Sequence, residues 1–225
     1  MKRPELLELL GGLLLDLERP HPVRVALDGP DAAGKTMLAD ELAELLAEKR
    51  PVIRAGIDGF HKPREYRLRR GLDSPEGYFL DSFDYEALSG LLLEPLGPGG
   101  SRRYRRAVFD YRVDEEVLAP EEEAQAGAIL LFDGVFLLRP ELRPLWDFSI
   151  FVHADFDEIV RRVEARDREL MGGAEAVRER YRARYIPGQE LYFSRYAPQQ
   201  VADMVIDNTN VKEPMLIRFP EPRRP

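Results

Sequence analysis

One eight-residue segment constrains the fold of this chain more than any other feature. It follows the pattern G-x-x-x-x-G-K-[ST] and comprises Gly29, Pro30, Asp31, Ala32, Ala33, Gly34, Lys35 and Thr36. An apolar stretch, 23–28, precedes the segment, and a stretch with leucines at helical spacing, 36–49, follows it. In this setting the glycines let the backbone curl, so that its N–H groups and the start of the helix can bind phosphate groups. The segment therefore predicts a phosphate-binding loop between a strand and a helix.

Apolar runs and helical patterns alternate along the rest of the chain. Runs typical of buried strands lie at 23–28, 52–57, 128–132, 148–152 and 201–206, and a Pro-rich tail follows the last of them. Helical spacing covers 5–18, 36–49, 84–93, 155–170 and 174–185, and Pro187 is expected to end the last helix. Strands of almost continuous apolar character separated by helices predict a parallel sheet covered on both faces. The pattern indicates an α/β fold, a Rossmann-like three-layer sandwich of the P-loop NTPase type with a helical lid.

Composition narrows the class of protein. The 225 residues include 33 Lys+Arg and 41 Asp+Glu, which gives a formal net charge of −8, and they include no cysteine. The lack of cysteine excludes disulfides, thiolate metal sites and cysteine nucleophiles. No apolar run reaches the ~18 residues of a membrane span, and the acidic balance argues against a nucleic-acid partner. We therefore expect a cytoplasmic globular protein with no membrane or nucleic-acid partner.

Two acidic residues follow predicted strands directly. Asp58 comes after the run 52–57, and Asp133 ends the run that begins at 128. Ligands of open parallel sheets bind beyond the carboxyl ends of the strands, so both carboxylates should face the phosphate-binding loop. Asp58 could accept the proton of an attacking hydroxyl group or hold a water on a metal, while Asp133 and the Thr36 hydroxyl could bind Mg²⁺. The alternative is that each acid is an ordinary turn residue.

Two arginines lie four residues apart on the predicted helix 155–170. Arg162 and Arg166 therefore share one helix face, opposite the apolar one. With Lys35, their guanidinium groups could stabilise the charge of a transferring phosphoryl group, and the glycines at 172–173 could form the hinge of a lid. The alternative is a solvent-exposed charged face paired with acidic neighbours.

Taken in order, four motifs carry a family resemblance. They are the loop 29–36, the segment Asp58-Gly-Phe-His, the segment Phe-Asp133-Gly-Val-Phe, and the segment Arg-Arg-Val-x-x-Arg-Asp that contains Arg166. Over about 23–208 the chain resembles the uridine kinase family of P-loop kinases, which is related to phosphoribulokinase and bacterial pantothenate kinase. The resemblance implies that Asp58 is the base that activates the acceptor hydroxyl, that Arg166 belongs to a lid, and that Asp81 binds the acceptor sugar. We expect one domain, 1–225, with the lid at about 166–190 and an acceptor-site insertion at about 59–112.

The acceptor end departs from the family pattern. The segment that reads a pyrimidine base in uridine kinases corresponds here to Phe109-Asp-Tyr-Arg-Val-Asp114. Phe109 replaces a tyrosine, and Asp114 stands in the place of a histidine. Together with Phe60 and His61 beside the predicted base, these residues are expected to contact the acceptor, whose identity stays open.

These features predict an ATP- and Mg²⁺-dependent kinase that phosphorylates a hydroxyl group of a small molecule, with a nucleoside as the preferred acceptor. The nucleotide is expected to contact the loop 29–36 and Asn208, which lies just after the last predicted strand and could touch a purine base or simply turn. A homo-oligomer is compatible with the sequence. One alternative is a kinase acting on a nucleoside monophosphate or another small molecule, held by the arginines at 64–70 and 102–106. Another is a nucleotide-dependent switch, against which stands the lack of any Asn/Thr-Lys-x-Asp segment.

Overall fold

The computed structural model describes residues 1–220, in which helices and strands alternate. The helices are α1 Arg3–Leu15, α2 Lys35–Ala47, α3 Arg64–Leu68, α4 Pro75–Asp81, α5 Tyr85–Leu88, α6 Phe156–Asp167, α7 Ala174–Arg180, α8 Ile186–Tyr196 and α9 Pro198–Val201. The strands are β1 Val23–Asp28, β2 Val52–Gly56, β3 Arg103–Tyr104, β4 Phe109–Asp110, β5 Glu115–Glu116, β6 Glu122–Glu123, β7 Ile129–Asp133, β8 Phe148–His153, β9 Met204–Asp207 and β10 Met215–Arg218. Short 3₁₀ turns occupy Ile57–Phe60 and Arg143–Leu145, and π-helical turns occupy Ser89–Leu93 and Tyr181–Tyr185.

Six strands form the central sheet, in the order β10-β9-β8-β1-β7-β2. All neighbours are parallel except β10, which runs antiparallel to β9. Because β1 lies between β7 and β8, the loop that leaves its carboxyl end emerges beside two other strand ends. Leu27 pairs with Asp133 of β7, and Gly56 of β2 pairs with the same residue from the other side. The predicted parallel sheet is confirmed, and its topology gathers the candidate residues at one edge.

Alternate residues of the strands face two separate cores. On one face, Val25 and Leu27 of β1 pack among apolar residues of α1, α2 and α6. On the other face, Ala26 and Phe132 pack among apolar residues of α4, α5 and α8. Every residue of β1 is buried, as expected for a strand covered on both sides. The molecule is therefore the three-layer α/β sandwich that the sequence predicts.

The structure corrects two sequence-based expectations. The helix predicted to stop before Pro187 does not stop there: α8 follows the π-helical turn Tyr181–Tyr185 without a break and continues to Tyr196, with Pro187 near its start, where the fixed φ of proline suits a helix. An extra edge strand, β10, follows the predicted last strand, within the stretch expected to be a Pro-rich tail; residues 221–225 of that tail lie outside the described residues.

The predicted N-terminal helix is present as α1. It runs unbroken through Gly11, where a Cβ atom would lie 2.6 Å from Leu45 of α2, so the glycine permits close helix packing.

Among residues 1–220, no helix is both long and apolar enough to cross a membrane.

Candidate active site

The phosphate-binding loop is shaped by two glycines that no other residue could replace without strain. Gly29 has φ +146°, and a Cβ atom there would lie 2.1 Å from the carbonyl oxygen of Val152 in β8. Gly34 has φ +90° and forms the N-cap of α2, against the side chain of Asn208. The positive φ values turn the chain back towards the start of α2, whose free N–H groups and dipole favour anions. The backbone thus has the form that the motif predicts.

Lys35, Thr36 and Asp133 converge next to this loop. The Lys35 side chain is 6% exposed, and its ammonium group donates a hydrogen bond to the Pro30 carbonyl oxygen at 2.7 Å. Burial lowers the pKa of Lys35, and nearby carboxylates oppose this shift. The Thr36 hydroxyl donates to Asp133 Oδ2 at 2.6 Å, while Arg54 Nη2 donates to Oδ1 at 2.9 Å. Lys35 and the hydrogen-bonded pair Thr36–Asp133 therefore lie next to each other beside the phosphate-binding loop.

The oxygen donors suit a hard divalent cation. The Thr36 hydroxyl and the Asp133 carboxylate are the hard ligands that Mg²⁺ prefers. Within residues 1–220 no group of three or more His, Asp or Glu side chains could hold a metal by itself. A cation at this position would complete its shell with water and phosphate oxygens, which is how Mg²⁺ usually binds beside nucleotides. The residues present therefore fit Mg²⁺ bound together with a nucleotide.

Asp58 lies in the same cleft, on the 3₁₀ turn Ile57–Phe60 that follows β2. Its side chain is open to the cleft, but protein atoms surround it on the other sides. This withdrawal from bulk water raises the pKa of Asp58 to about 6, and repulsion from Asp31 and Asp133 adds to the rise. Lys35 opposes it. A carboxylate with a pKa near 6 is largely ionised at neutral pH and is a stronger base than an ordinary aspartate.

Aromatic rings form the end of the cleft beyond Asp58. The His61 ring lies between Phe83, at 4.5 Å between centroids, and Tyr111, at 4.6 Å. Burial lowers the pKa of His61 to about 4, so the imidazole is neutral at physiological pH. The exposed Arg112 lies beside Tyr111, with its guanidinium carbon 5.6 Å from the ring centroid, and also lines the cleft. The surface offers flat apolar faces and one guanidinium group.

Four residues predicted to contact the acceptor do not line this cleft. Phe60 is fully buried in the core, with its ring 6.2 Å from that of Phe132, and Phe109 is buried on β4. Asp114 is exposed in the β4–β5 turn and accepts a hydrogen bond from the Arg64 N–H at 2.8 Å. Asp81 is buried at the end of α4. The sequence and the family resemblance predict that these side chains lie near the acceptor. Packing instead directs them into the core or into contacts outside the cleft.

Asp81 is held in a double ion pair. Its Oδ1 accepts from Arg69 Nη2 at 2.6 Å and its Oδ2 from Arg70 Nε at 2.7 Å. Although burial opposes the shift, these hydrogen bonds lower the pKa of Asp81. Both carboxylate oxygens are therefore engaged by side chains of the same segment.

Arg162 and Asn208 brace the phosphate loop from behind. The Asn208 amide donates to the Ala33 carbonyl oxygen at 2.6 Å, and Arg162 Nη1 donates to that of Ala32 at 3.0 Å. Arg162 Nη2 also donates to the carbonyl oxygens of Asn208 and Thr209, at 2.9 and 2.8 Å. Because the Asn208 side chain is fully buried, its position is that of a support for the loop.

Arg166 lies one helical turn further along and faces the cleft. It makes a two-pronged pair with Asp167, at 2.7 and 2.8 Å, and donates to the Tyr181 hydroxyl at 3.2 Å. The two arginines that share a helix face in the sequence thus have different surroundings: Arg162 binds backbone carbonyls, and Arg166 is exposed at the cleft.

A buried carboxylate at the end of β1 holds the loop after β7. Asp28 accepts from the Tyr192 hydroxyl of α8 at 2.5 Å and from the Leu137 N–H at 3.2 Å. Burial raises its pKa to about 6, against the effect of these hydrogen bonds. The Trp146 indole N–H donates to the Leu137 carbonyl oxygen at 3.0 Å. No local pattern in the sequence links these residues, which are far apart along the chain.

Comparison with known proteins assigns the chain to a family. The family model described as cytidylate kinase-like matches residues 24–210. The chain belongs to the cytidylate kinase-like family. The matched region of this cytidylate kinase-like protein includes the phosphate loop, Asp58, Asp133 and Arg166.

Individual relatives agree with this assignment. A pantothenate kinase from Clavibacter michiganensis is 28% identical over 194 residues, which are 82% of this chain and 56% of that one. A uridine kinase from Chlamydia pneumoniae is 26% identical over 190 residues, 81% of this chain and 80% of that one. The cytidylate kinase-like chain thus spans little more than half the length of the pantothenate kinases it matches.

The fold is shared with a solved structure. A possible uridine kinase from Bacillus stearothermophilus superposes with a TM-score of 0.70 at 20% identity, covering 88% of this chain and 96% of that one. The predicted P-loop kinase fold and the predicted resemblance to uridine and pantothenate kinases are both confirmed.

Proposed function

We propose that this protein transfers the γ-phosphoryl group of ATP to a hydroxyl group of a small molecule, and that the acceptor is a nucleoside. The observation that carries the proposal is the position of Asp58. An ionised carboxylate with a raised pKa shares one cleft with Lys35 and the pair Thr36–Asp133. A binding protein needs only the phosphate loop, whereas phosphoryl transfer gives Asp58 a proton to accept from the attacking hydroxyl group.

In the proposed reaction the chain's own residues position and neutralise charge. Asp58 accepts the proton of the acceptor hydroxyl group while the oxygen of that hydroxyl group forms a bond to the γ-phosphorus of ATP. The bond from that phosphorus to the bridging oxygen breaks, and ADP leaves with the electron pair. Lys35 and Arg166 stabilise the negative charge on the transferring group. Mg²⁺ held by Thr36 and Asp133 would supply further charge neutralisation on the phosphates.

The acceptor end supports a nucleoside. The neutral His61 ring and its neighbours Phe83 and Tyr111 form an aromatic surface on which a flat base could stack. Among the relatives are a uridine kinase and a uridine-cytidine kinase from Dictyostelium discoideum, the latter 28% identical over 160 residues.

One observation favours a second candidate acceptor, a nucleoside monophosphate. Arg112 projects at the acceptor end, and its guanidinium group is exposed. A guanidinium group there could pair with an acceptor phosphate, and the family description names a cytidylate kinase.

The test is a phosphoryl-transfer assay with γ-labelled ATP and Mg²⁺. Uridine, cytidine, cytidine monophosphate, pantothenate and water alone are offered separately, and Lys35→Ala controls for contaminating kinases. We expect label on uridine or cytidine. Label on cytidine monophosphate would favour the second candidate, and label on pantothenate would overturn the nucleoside assignment. Release of phosphate to water, with no acceptor labelled, would overturn the kinase proposal and favour a nucleotide-dependent switch.

A further inference from the structure

Asp31 is a carboxylate in a loop that binds negatively charged phosphates. It is half-buried and lines the cleft. Its Oδ2 accepts a hydrogen bond from the Tyr78 hydroxyl of α4 at 3.0 Å, and its backbone N–H donates to Gln189 Oε1 of α8 at 2.8 Å. The Lys35 ammonium group donates to the Pro30 carbonyl oxygen and not to this carboxylate. Asp31 is thus held by hydrogen bonds from α4 and α8, while its charge, which attracts the nearby Lys35, raises the pKa of that lysine against the effect of burial.

Ion pairing separates the acidic residues of the cleft into two groups. Five carboxylates line it: Asp31, Asp58, Asp133, Glu158 and Asp167. Three are in ion pairs, Asp133 with an arginine of β2 and the other two with arginines of α6. Within residues 1–220, neither Asp31 nor Asp58 belongs to an ion pair, and each repels the other. Two unpaired carboxylates facing one cavity call for hydrogen-bond donors between them.

The carboxylates of the neighbouring segment, Asp81 and Asp84, do not line the cleft and already accept hydrogen bonds within the protein. Both oxygens of Asp81 accept from arginines. Asp84 caps α5, where its Oδ1 accepts from the Ala87 N–H at 2.9 Å. The role expected for Asp81, binding an acceptor hydroxyl beside the reacting one, is therefore open to Asp31.

We propose that Asp31 binds the acceptor, by accepting a hydrogen bond from a hydroxyl or amine group other than the one that is phosphorylated. The inference rests on the proposed function. It makes Asp31 a positioning residue on the acceptor side of the phosphate loop, with Tyr78 holding its carboxylate. It also restricts the substrate class: the acceptor carries at least two donor groups, as the sugar of a nucleoside does, and a simple alcohol would be a poor substrate.

The experiment compares Asp31→Ala with wild type, using uridine, 2′-deoxyuridine and 3′-deoxyuridine as acceptors. Loss of a hydrogen bond to a charged group should raise the KM for uridine about 10- to 100-fold. One deoxynucleoside should be a poor acceptor for wild type, and Asp31→Ala should no longer distinguish it from uridine. AMP-PNP is a non-hydrolysable analogue of ATP. Its affinity, measured in the presence of Mg²⁺, should change less than about twofold, because the proposed role of Asp31 does not involve the nucleotide. Glu44→Ala, which removes an exposed carboxylate of α2, should behave as wild type, and Asp31→Asn guards against misfolding of the alanine variant.

The outcomes separate the two proposals. An unchanged KM for uridine, or discrimination retained in Asp31→Ala, would overturn the role of Asp31. Weaker AMP-PNP binding with an unchanged uridine KM would also overturn it and would place Asp31 on the nucleotide side. If wild type phosphorylates cytidine but not uridine, the KM comparison is made with cytidine and its deoxy analogues. If it phosphorylates neither, the nucleoside assignment fails; the KM comparison is then made with cytidine monophosphate or pantothenate, whichever is labelled, and the AMP-PNP measurement stands regardless.

Discussion

At the scale of single residues, the chemistry depends on what each charged group contacts. Arg162 and Arg166 look equivalent in sequence and both line the cleft, but Arg162 donates to backbone carbonyls whereas the exposed Arg166 pairs with Asp167. Asp133 ends β7 and is paired with Arg54, whereas Asp58 lies on the turn after β2 and is not paired with this arginine. Exposed charged groups at the cleft are therefore the ones whose removal should affect catalysis most.

Replacing Asp58 with asparagine should separate catalysis from nucleotide binding. Asparagine keeps the size of the side chain but cannot accept the proton, so kcat should fall about 10²–10⁴-fold, while Mg·ATP affinity changes little. The wild-type rate should also fall as the pH drops below about 6, since protonation of Asp58 removes the base. The residual activity of Asp58→Asn should lack this acid limb. Pre-steady-state and pH–rate measurements check both points, and wild-type turnover in the variant would remove Asp58 from the mechanism.

Replacing Arg166 with alanine should lower kcat about 10²-fold or more, the effect of removing a positioned charge-stabilising donor. The melting temperature should fall as well, because the buried Asp167 loses its ion-pair partner, so the test rests on kcat of the folded variant. Arg168→Ala provides the matched control, since Arg168 is exposed on the same helix end but does not line the cleft. Equal kcat values for the two variants would return Arg166 to the role of a surface charge.

At the scale of elements, the phosphate loop is held in place by parts of the chain far from it in sequence. Helix α6 reaches it through Arg162, the segment after β9 through Asn208, and α8 through Gln189. These contacts join three elements to one loop. Their loss should therefore disturb nucleotide binding and stability together.

The variant Arg162→Ala tests this coupling. It leaves the carbonyl groups of Ala32, Asn208 and Thr209 without their donor, which should lower the free energy of unfolding by about 2 kcal/mol. Mg·ATP binding should weaken as well, because the loop loses its support. Chemical denaturation and nucleotide titration measure the two effects. In Arg161→Ala, which removes a surface pair with Glu158, stability should hardly change, and a similar loss there would argue against a bracing role for Arg162.

Elements built from local patterns could be predicted from the sequence, whereas long-range side-chain pairing could not. The glycine positions of the phosphate loop and the apolar run of β1 are local, and the structure has both as predicted. The engagement of Asp81 by Arg69 and Arg70 depends on how α3 packs against α4. The continuation of the helix past Pro187 could not be predicted either, because a proline can end one helix or stand at the start of another, and the local pattern does not decide between the two.

At the scale of the whole molecule, the buried Asp28 should make stability depend on pH. Its pKa is about 6 in the folded state against an ordinary value of 3.8. A raised folded pKa stabilises the protein fully below the unfolded pKa, and this contribution is lost as the pH rises through the folded value. Between about pH 4 and 6, Asp28 should therefore cost up to about 3 kcal/mol of stability.

The measurement compares wild type with Asp28→Asn, which stays neutral at every pH. The difference between their free energies of unfolding should shift by this amount in favour of Asp28→Asn between pH 4 and pH 7, and then level off. Taking the difference removes the contribution of other carboxylates. The pKa of Glu158, for example, is lowered to about 2, so this residue makes stability rise with pH, whereas Asp28 makes it fall. A difference that is independent of pH would mean that Asp28 keeps an ordinary pKa in the folded protein.

The position of Trp146, whose indole N–H donates to Leu137, gives the molecule a fluorescence signal that reports on one loop. Trp146 is the sole tryptophan of the chain, it is largely buried, and its ring lies 5.5 Å from that of Phe132, next to Asp133 at the end of β7. All intrinsic tryptophan emission therefore originates beside the loop that Asp28 and Tyr192 hold in place. Rearrangement of this loop would alter the quantum yield and emission maximum of the indole, so the protein carries its own fluorophore for stopped-flow measurement and needs no attached dye.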